Sequence, residues 1–443
     1  MQHKPYHTII GLVSAVLVLL FTAVPVSAED VALDDFIQQV EKHSKDLKLA
    51  EKDVEAAGAD RSQALSLALP HLSAAAQYTR NLHDLYMYAD LSALSGESGS
   101  TSKLRTNRNN EYQLGVSLTQ TLFSGTVFNA IKAAGEYQHL TDNVYDATYQ
   151  QLITGARQAF YQALLLREVR DVAVQSENNA HDNYMDVKKA YDNGLVSEFA
   201  LLQAEARYRD AIPTTTGARR DYDLAIISLK NLAGVPIEQE FEPIGLLDDY
   251  PSMPDIPSLD TVLFNRPDYN ALKWEEKLRG TNVRAERANY FPTLMGVAEY
   301  GYSAQSDEFA LDNENHSVTV GLALSIPIFN GGETRAKVRK AKIERQQTNL
   351  EIQRKRDDIE KELHSVRLRL EEAYDKIRSA EASRATAQKA FDIAENISAS
   401  GLITQLELKD SRVTLDKATV GYYSAIFEYL VAYFDWQRVI GKI

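Results

Sequence analysis

Four stretches of the chain alternate between apolar and polar positions. In 111–122, Tyr112, Leu114, Val116, Leu118 and Leu122 alternate with Gln113, Gly115, Ser117, Thr119 and Thr121. In 316–326, Val318, Val320, Leu322, Leu324 and Ile326 alternate with Ser317, Thr319, Gly321, Ala323 and Ser325. Two weaker segments follow prolines: Leu72, Ala74, Ala76 and Tyr78 form one face, and Leu294, Gly296, Ala298, Tyr300 and Tyr302 its counterpart. A period of two predicts strands. Each has about ten residues, which suits a tilted strand crossing a membrane. Taken alone, the alternation fits a solvated hairpin on a soluble core equally well. Small polar residues on the second face, polar loops such as SALSGESGSTS at 92–102, and aromatics near the strand ends favour the membrane. Those aromatics are Tyr78, Tyr112, Phe123, Tyr290, Phe291, Tyr300, Tyr302 and Phe329.

Beyond the strands the pattern turns helical for 69 residues from Gly125 to Gly194 and for 70 from Gly331 to Gly401, with no proline in either stretch. Each helix would be roughly 100 Å long at 1.5 Å per residue. In the second, Ile352, Ile359, Val366, Ala373, Ala380, Ala387 and Ala394 recur every seven residues, with Leu363, Leu370, Ile377 and Phe391 on a companion seam. A 3.5-residue period specifies supercoiled helices. Gly194 and Gly401 can end these helices in the left-handed conformation. Ser197 and Thr404 can cap the helices that return over 196–233 and 403–440. Pro213 should kink or break the first return helix.

The chain is a duplication. Pro70 and Pro292 are 222 residues apart, as are His43-Ser44-Lys45-Asp46 and Asn265-Arg266-Pro267-Asp268. Phe123-Ser124-Gly125 and Phe329-Asn330-Gly331 are 206 apart; Gly194 and Gly401, and Gly234 and Gly441, are 207 apart. The first copy therefore carries about 16 extra residues between Pro70 and Phe123. The repeats run 29–234 and 258–443, joined by a Pro-rich linker at 235–257. Each is read as a short helix (32–67; 258–289), a strand pair (71–122; 293–328), a long helix (126–193; 332–399) and a return helix. Four strands cannot close a barrel, and an open edge in lipid is forbidden. The chain should therefore oligomerise. Two copies would give a side-chain-filled eight-stranded barrel, and three a twelve-stranded one that leaves a pore.

Residues 1–28 read as a secretory signal peptide, with Lys4, an apolar run from Ile9 to Ala23 and a Val26-Ser27-Ala28 cleavage signal. The chain has no Cys, so disulfides, thiol chemistry and a lipid-modified N-terminal Cys are excluded. Its formal charge of −14 disfavours nucleic acid as a partner. The nine His show no ligand spacing, and no phosphate-binding or nucleophile motif is present. Nothing argues for an enzyme, a cofactor or a metal.

The duplicated layout, the NGLVSEFALLQAEAR tip, the NRPDY start of the second repeat and the LP and FP strand entries resemble the TolC-type outer-membrane efflux proteins of Gram-negative bacteria, over essentially the whole mature chain. That resemblance implies an α+β membrane protein. Three copies would share a twelve-stranded β-barrel in the outer membrane, and their long helical hairpins would form a helical barrel across the periplasm. It implies a homotrimer that exports small molecules or proteins with a periplasmic adaptor and an inner-membrane pump of the RND, ABC or MFS type. By position, adaptor docking falls on Gly194, Leu195, Val196 and Ser197 with Gly401, Leu402, Ile403 and Thr404. The acids lining the periplasmic aperture fall on Glu407 and Asp410, which share a helix face. An Arg that locks the closed aperture in some members is here Ile403, and the facing tip offers Phe199 and Ala200. A periplasmic adaptor or a coiled-coil scaffold is the alternative. An adaptor would have one hairpin rather than two, and a scaffold leaves the strands unexplained.

Overall fold

The computed structural model describes residues 29–90, 101–399 and 403–443. The leader at 1–28 and the tip residues Gly401 and Leu402 lie outside them, as does most of the 92–102 loop. Eight strands and eight helices are described, numbered here in chain order. The four predicted strands are β2 (His71–Arg80), β5 (Asn110–Phe123), β7 (Thr293–Ser306) and β8 (Asn315–Ser325). They form one antiparallel sheet in the order β2-β5-β7-β8. Register confirms the two faces. Leu72, Leu118, Ala298 and Val320 align across the sheet, as do Ala74, Val116, Tyr300 and Val318. The intervening row is Ser73, Ser117, Glu299 and Thr319. One face is therefore apolar and exposed, the other small and polar.

Each strand runs into a helix, and the helices keep the order of the strands. α2 (Lys45–Ser66) leads into β2, β5 into α3 (Gly125–Asp192), α6 (Pro267–Ala288) into β7, and β8 into α7 (Glu333–Ala399). α2 packs on α3, α3 on α6 and α6 on α7. Arg61 donates to Gln138 between the first pair, Thr281 to Glu136 between the second, and Arg345 pairs with Glu276 between the third. The four strands and their helices thus form a wall of four continuous staves. Among the described residues, its edges, β2 with α2 and β8 with α7, carry no further stave.

Farther down, α3 pairs with α4 (Glu198–Ala233), α7 pairs with α8 (Gln405–Val439), and α8 joins the two hairpins by packing on α3. The heptad seam of α7 is buried over its middle, where Ile359, Val366, Leu370 and Ile377 are inaccessible, while Ile352, Ala380, Phe391 and Ala394 are half-buried. The main core lies midway along the molecule. There α1 (Leu33–His43), α5 (Leu259–Asn265), the upper part of α8 and the parallel pair β1 (Glu29–Val31) and β6 (Phe241–Pro243) add a second layer. Phe36, Phe160, Leu229, Val262, Ile426 and Tyr429 meet in this layer.

Three sequence expectations need correction. The short helix of each repeat is two helices, broken at Ser44 and at Arg266. Ser44 caps α2 by accepting from Leu47 N–H, and Pro267 occupies the first turn of α6, where no amide donor is needed. Pro213 does not break α4, which runs unbroken from Glu198 to Ala233. Thr215, buried beside it, donates to Ala173 O of α3 at 3.1 Å and to Ala211 O at 3.3 Å, and this bond to a neighbouring helix holds the proline-containing turn in line. Finally, the extra residues of the first copy carry a two-stranded ribbon, β3 (Tyr86–Asp90) with β4 (Thr101–Arg105), and not loop alone.

Candidate functional site: the hairpin tips and the open edges

The first tip is built as its sequence requires. α3 ends with Gly194 at φ 70°, Gly194 N–H donating to Tyr191 O and Leu195 N–H to Ala190 O, both at 2.8 Å. This is the paired closure of a left-handed helix terminus. Gly234 and Gly441 end the return helices in the same way, at φ 68° and 69°. Ser197 then accepts from Ala200 N–H and starts α4. The turn leaves Leu195 77 % and Phe199 69 % exposed, with Val196 half-buried between them. Two bare apolar side chains at the far end of a 68-residue helix form a knob without a described cover.

At the second tip, Ile403 is half-buried and Thr404 starts α8 with a full capping box. Glu407 N–H donates to Thr404 Oγ1 at 3.2 Å, while the Glu407 carboxylate accepts from Thr404 N–H at 2.8 Å and from its hydroxyl at 2.9 Å. These bonds, the backbone one first, hold the Glu407 carboxyl below its ordinary value. The signature Thr404-Gln405-Leu406-Glu407 is readable in sequence, and it gives Glu407 a structural task alongside any role in the lumen. Asp410 is exposed one turn on, and its charge reaches Arg207 on α4 of the other hairpin. Burial lowers the Arg207 pKa and the Asp410 carboxylate opposes that shift. Arg412 pairs with Asp416 at 2.9 Å and lies over the Phe391 ring of α7. Asp416 is raised by burial, against a hydrogen bond with Ser176 of α3. The structure thus gathers α3, α7 and α8 around one ion pair just behind the tip, a node that no sequence motif announces.

At the other end, the sheet presents a band of exposed apolar side chains. Beneath it, Phe123, Phe128, Tyr290, Phe291, Ile328 and Phe329 stand exposed where strands become helices. This is the arrangement of a lipid-facing sheet with an interfacial girdle. No described helix is long and apolar enough to cross a membrane. No group of His, Cys, Asp and Glu among the described residues could hold a metal ion.

An amphipathic sheet continued by two helical hairpins of this length defines the channel-tunnel class of membrane protein. The chain belongs to the family described as Outer membrane efflux protein, which it matches over residues 36–235 and 259–425. Among curated relatives, the alkaline protease secretion protein AprF of Pseudomonas aeruginosa is 24% identical over 333 residues, 73% of this chain and 68% of that protein. The outer membrane protein TolC of Escherichia coli is 20% identical over 92% of this chain and 81% of its own. Among solved structures, the Campylobacter jejuni CmeC outer membrane channel aligns with a TM-score of 0.76 at 19% identity, covering 93% of this chain and 85% of that one. The open state of the Neisseria gonorrhoeae MtrE channel gives 0.76 at 20%, covering 92% and 88%. The protein is an outer-membrane efflux channel and not an enzyme. The adaptor or scaffold reading is set aside.

Proposed function

We propose that three copies close head to tail into one twelve-stranded barrel and one periplasmic tube. The observation that carries this is the shared order of strands and helices, which leaves two different open edges, β2 with α2 and β8 with α7. Unlike edges join heterologously, and such joints close into a ring when the rotation between copies divides a full turn. An uncovered strand edge is intolerable in lipid. The hairpin tips then gather at the periplasmic end. There Leu195, Val196 and Ser197, with Gly194 setting their turn, and Gly401, Leu402, Ile403 and Thr404 receive a periplasmic adaptor. Glu407 and Asp410 line the aperture.

An inner-membrane pump supplies the energy, and the cargo is a small molecule or a polypeptide. The relatives include a protease secretion protein and a cation efflux protein. One relative is described as a probable lipoprotein. This chain has no Cys to carry a thioether-linked lipid, so we place it in the outer membrane without that anchor.

The cysteine-free sequence provides the test. Cysteine pairs, one on β2 and one on β8 and stepped along the strands because a closed barrel staggers its register, should include pairs that form disulfides between chains and yield a three-chain ladder in mild detergent. A stable, water-soluble monomer would overturn the proposal.

A further inference from the structure

One row of α7 changes character along its length. Arg335, Lys342, Asn349, Arg356, Leu363, Leu370 and Ile377 recur every seven residues. Leu363, Leu370 and Ile377 are buried against α8. α8 ends level with Glu362, where Arg266 reaches both Glu362 and the carbonyl of Val439. Above that point the row is bare, and it is basic. Residues 333–356 hold nine Lys and Arg against three Glu, in a chain of net charge −14. Lys337, Lys340, Arg345 and Lys355 are paired with Glu333, Glu344, Glu276 and Asp268. Among the described residues, Arg335, Lys342 and Arg356 have no such partner and are exposed.

This row looks outward. At and just beyond the strand ends, positions that continue the polar face donate toward the next strand in order: Asn81 N–H to Asn109 O and Gln305 N–H to Asp312 O. For L-residues that places β8, and α7 below it, to the right of its neighbour when viewed from the lumen with the strands uppermost. The buried row Thr334, Ala341 and Thr348 faces α6. A right-handed helix descending from there turns next to the outside, which is the side of Arg335 and Lys342. The register fixed by Glu276–Arg345 and Arg279–Glu344 brings Arg284 of α6 level with the stretch between these two; it is exposed, donates to Thr281 and stands 4.0 Å from Glu136, a longer separation than those of the paired cations above. Arg339 stands exposed on the shoulder toward the open edge.

The height of the patch names its occupant. Ile328 and Phe329, 94% and 87% exposed, belong to the girdle that marks the lower boundary of the lipid. Arg335 follows Phe329 by six residues. Lys342 lies roughly 10 Å lower, about one Debye length, and both side chains can reach upward. We propose that Arg335, Lys342 and Arg284, flanked by Arg339, bind the phosphates of anionic phospholipids in the periplasmic leaflet, at a girdle-side site repeated on each copy. The inference rests on the barrel reading above. Juxtamembrane basic clusters recognise anionic headgroups in this way.

The full chain, purified in detergent and reconstituted with phosphatidylcholine alone or with added phosphatidylglycerol or cardiolipin, tests it. Lipid retained by the re-extracted assembly is read by native mass spectrometry, and channel conductance is recorded on the same samples. Wild type should enrich the anionic lipids, and each of Arg335→Gln, Lys342→Gln and Arg284→Gln should lower that enrichment by about five-fold. Lys340→Gln, on the lumenal side of the same helix, should leave it unchanged. A conducting channel that retains both lipid classes alike, or a triple variant that enriches them like wild type, overturns the lipid site and spares the channel. A chain that neither inserts nor conducts overturns the barrel reading, and the lipid site with it.

Discussion

Two regions of the molecule use the same terminus for different reasons. At the tip, Gly194 is left-handed and a side chain there would meet open space. At the mid-molecule layer, Gly234 and Gly441 adopt the same conformation under hard contact. A Cβ at Gly234 would lie 2.6 Å from His43 Cβ, and one at Gly441 would lie 2.7 Å from the Asn265 carbonyl. His43 and Asn265 are themselves repeat partners. The duplication therefore conserves a packing joint at the middle and only a chain reversal at the end. Changes at the middle should unfold the molecule, and changes at the tip should alter what the tip meets.

The largest effect should come from Arg266, which is 3% exposed. It grips Asp268 with two hydrogen bonds, at 2.9 and 2.6 Å, and reaches Glu362 at 2.6 Å, while Lys355 holds Asp268 from α7 at 2.8 Å. Arg266→Met strands two carboxylates beside one lysine and should cost about 3–5 kcal/mol, read as a fall in the heat-dissociation midpoint of the detergent-extracted assembly. Burial alone would raise the Asp268 carboxyl. The hydrogen bonds from Arg266 and Lys355, and their charges, hold it well below the carboxylate range instead. A depressed pKa stabilises the fold above the unfolded value, about 4, and that stability fades as pH falls below it. Wild type and Asp268→Asn should differ at neutral pH and converge on acidification. A gap that persists at low pH would assign the network a packing role alone.

Next come Gly441→Ala and Gly234→Ala. The left-handed backbone costs an alanine about 1–2 kcal/mol, and the collision with Asn265 or His43 adds to that. Gly194→Ala incurs the backbone cost alone, in a turn that can fray without loosening the core. The two mid-molecule variants should lower the dissociation midpoint clearly and Gly194→Ala hardly at all. Equal shifts at all three glycines would erase the distinction. Gly194→Val should leave assembly and barrel insertion intact while export and co-purification of the adaptor collapse. Unchanged export would remove the tip from docking.

How much of this was legible follows the range of the forces involved. Strand faces, long helices and glycine termini are local patterns, and all are readable in the sequence. The capping box Thr404–Glu407 is equally local, carried by the Thr-x-x-Glu spacing alone. The break at Ser44 and Arg266 left a trace in Pro267, which biases the residue before it away from helix. The continuity of α4 through Pro213 had no such trace, because it depends on Thr215 meeting Ala173 O of another helix. The ion pair of Arg412 and Asp416 beside Ser176, and the field of Asp410 on Arg207, are likewise products of helix placement.

The smallest effect concerns the two tip acids, and here the structure separates residues that the sequence treats as equals. Glu407 is turned back onto Thr404, so its charge is partly committed to the helix start. Among the described residues Asp410 makes no such capping bond; it is exposed on α8, and its charge acts on Arg207 of α4. In a ring of three, like charges at a constriction attract cations, and the effect grows as water is excluded. Single-channel recording on the purified assembly should therefore show cation preference and block by trivalent cations added from the periplasmic side. Glu407→Ala with Asp410→Ala together should weaken both. Asp410→Asn alone should account for more of the loss than Glu407→Gln, and Arg207→Gln should strengthen the preference by removing an opposing charge. If Glu407→Gln proves the stronger of the two, its capping bonds are broken in the conducting state. If the double variant keeps wild-type selectivity and block, the narrowest point of the tube lies away from both acids.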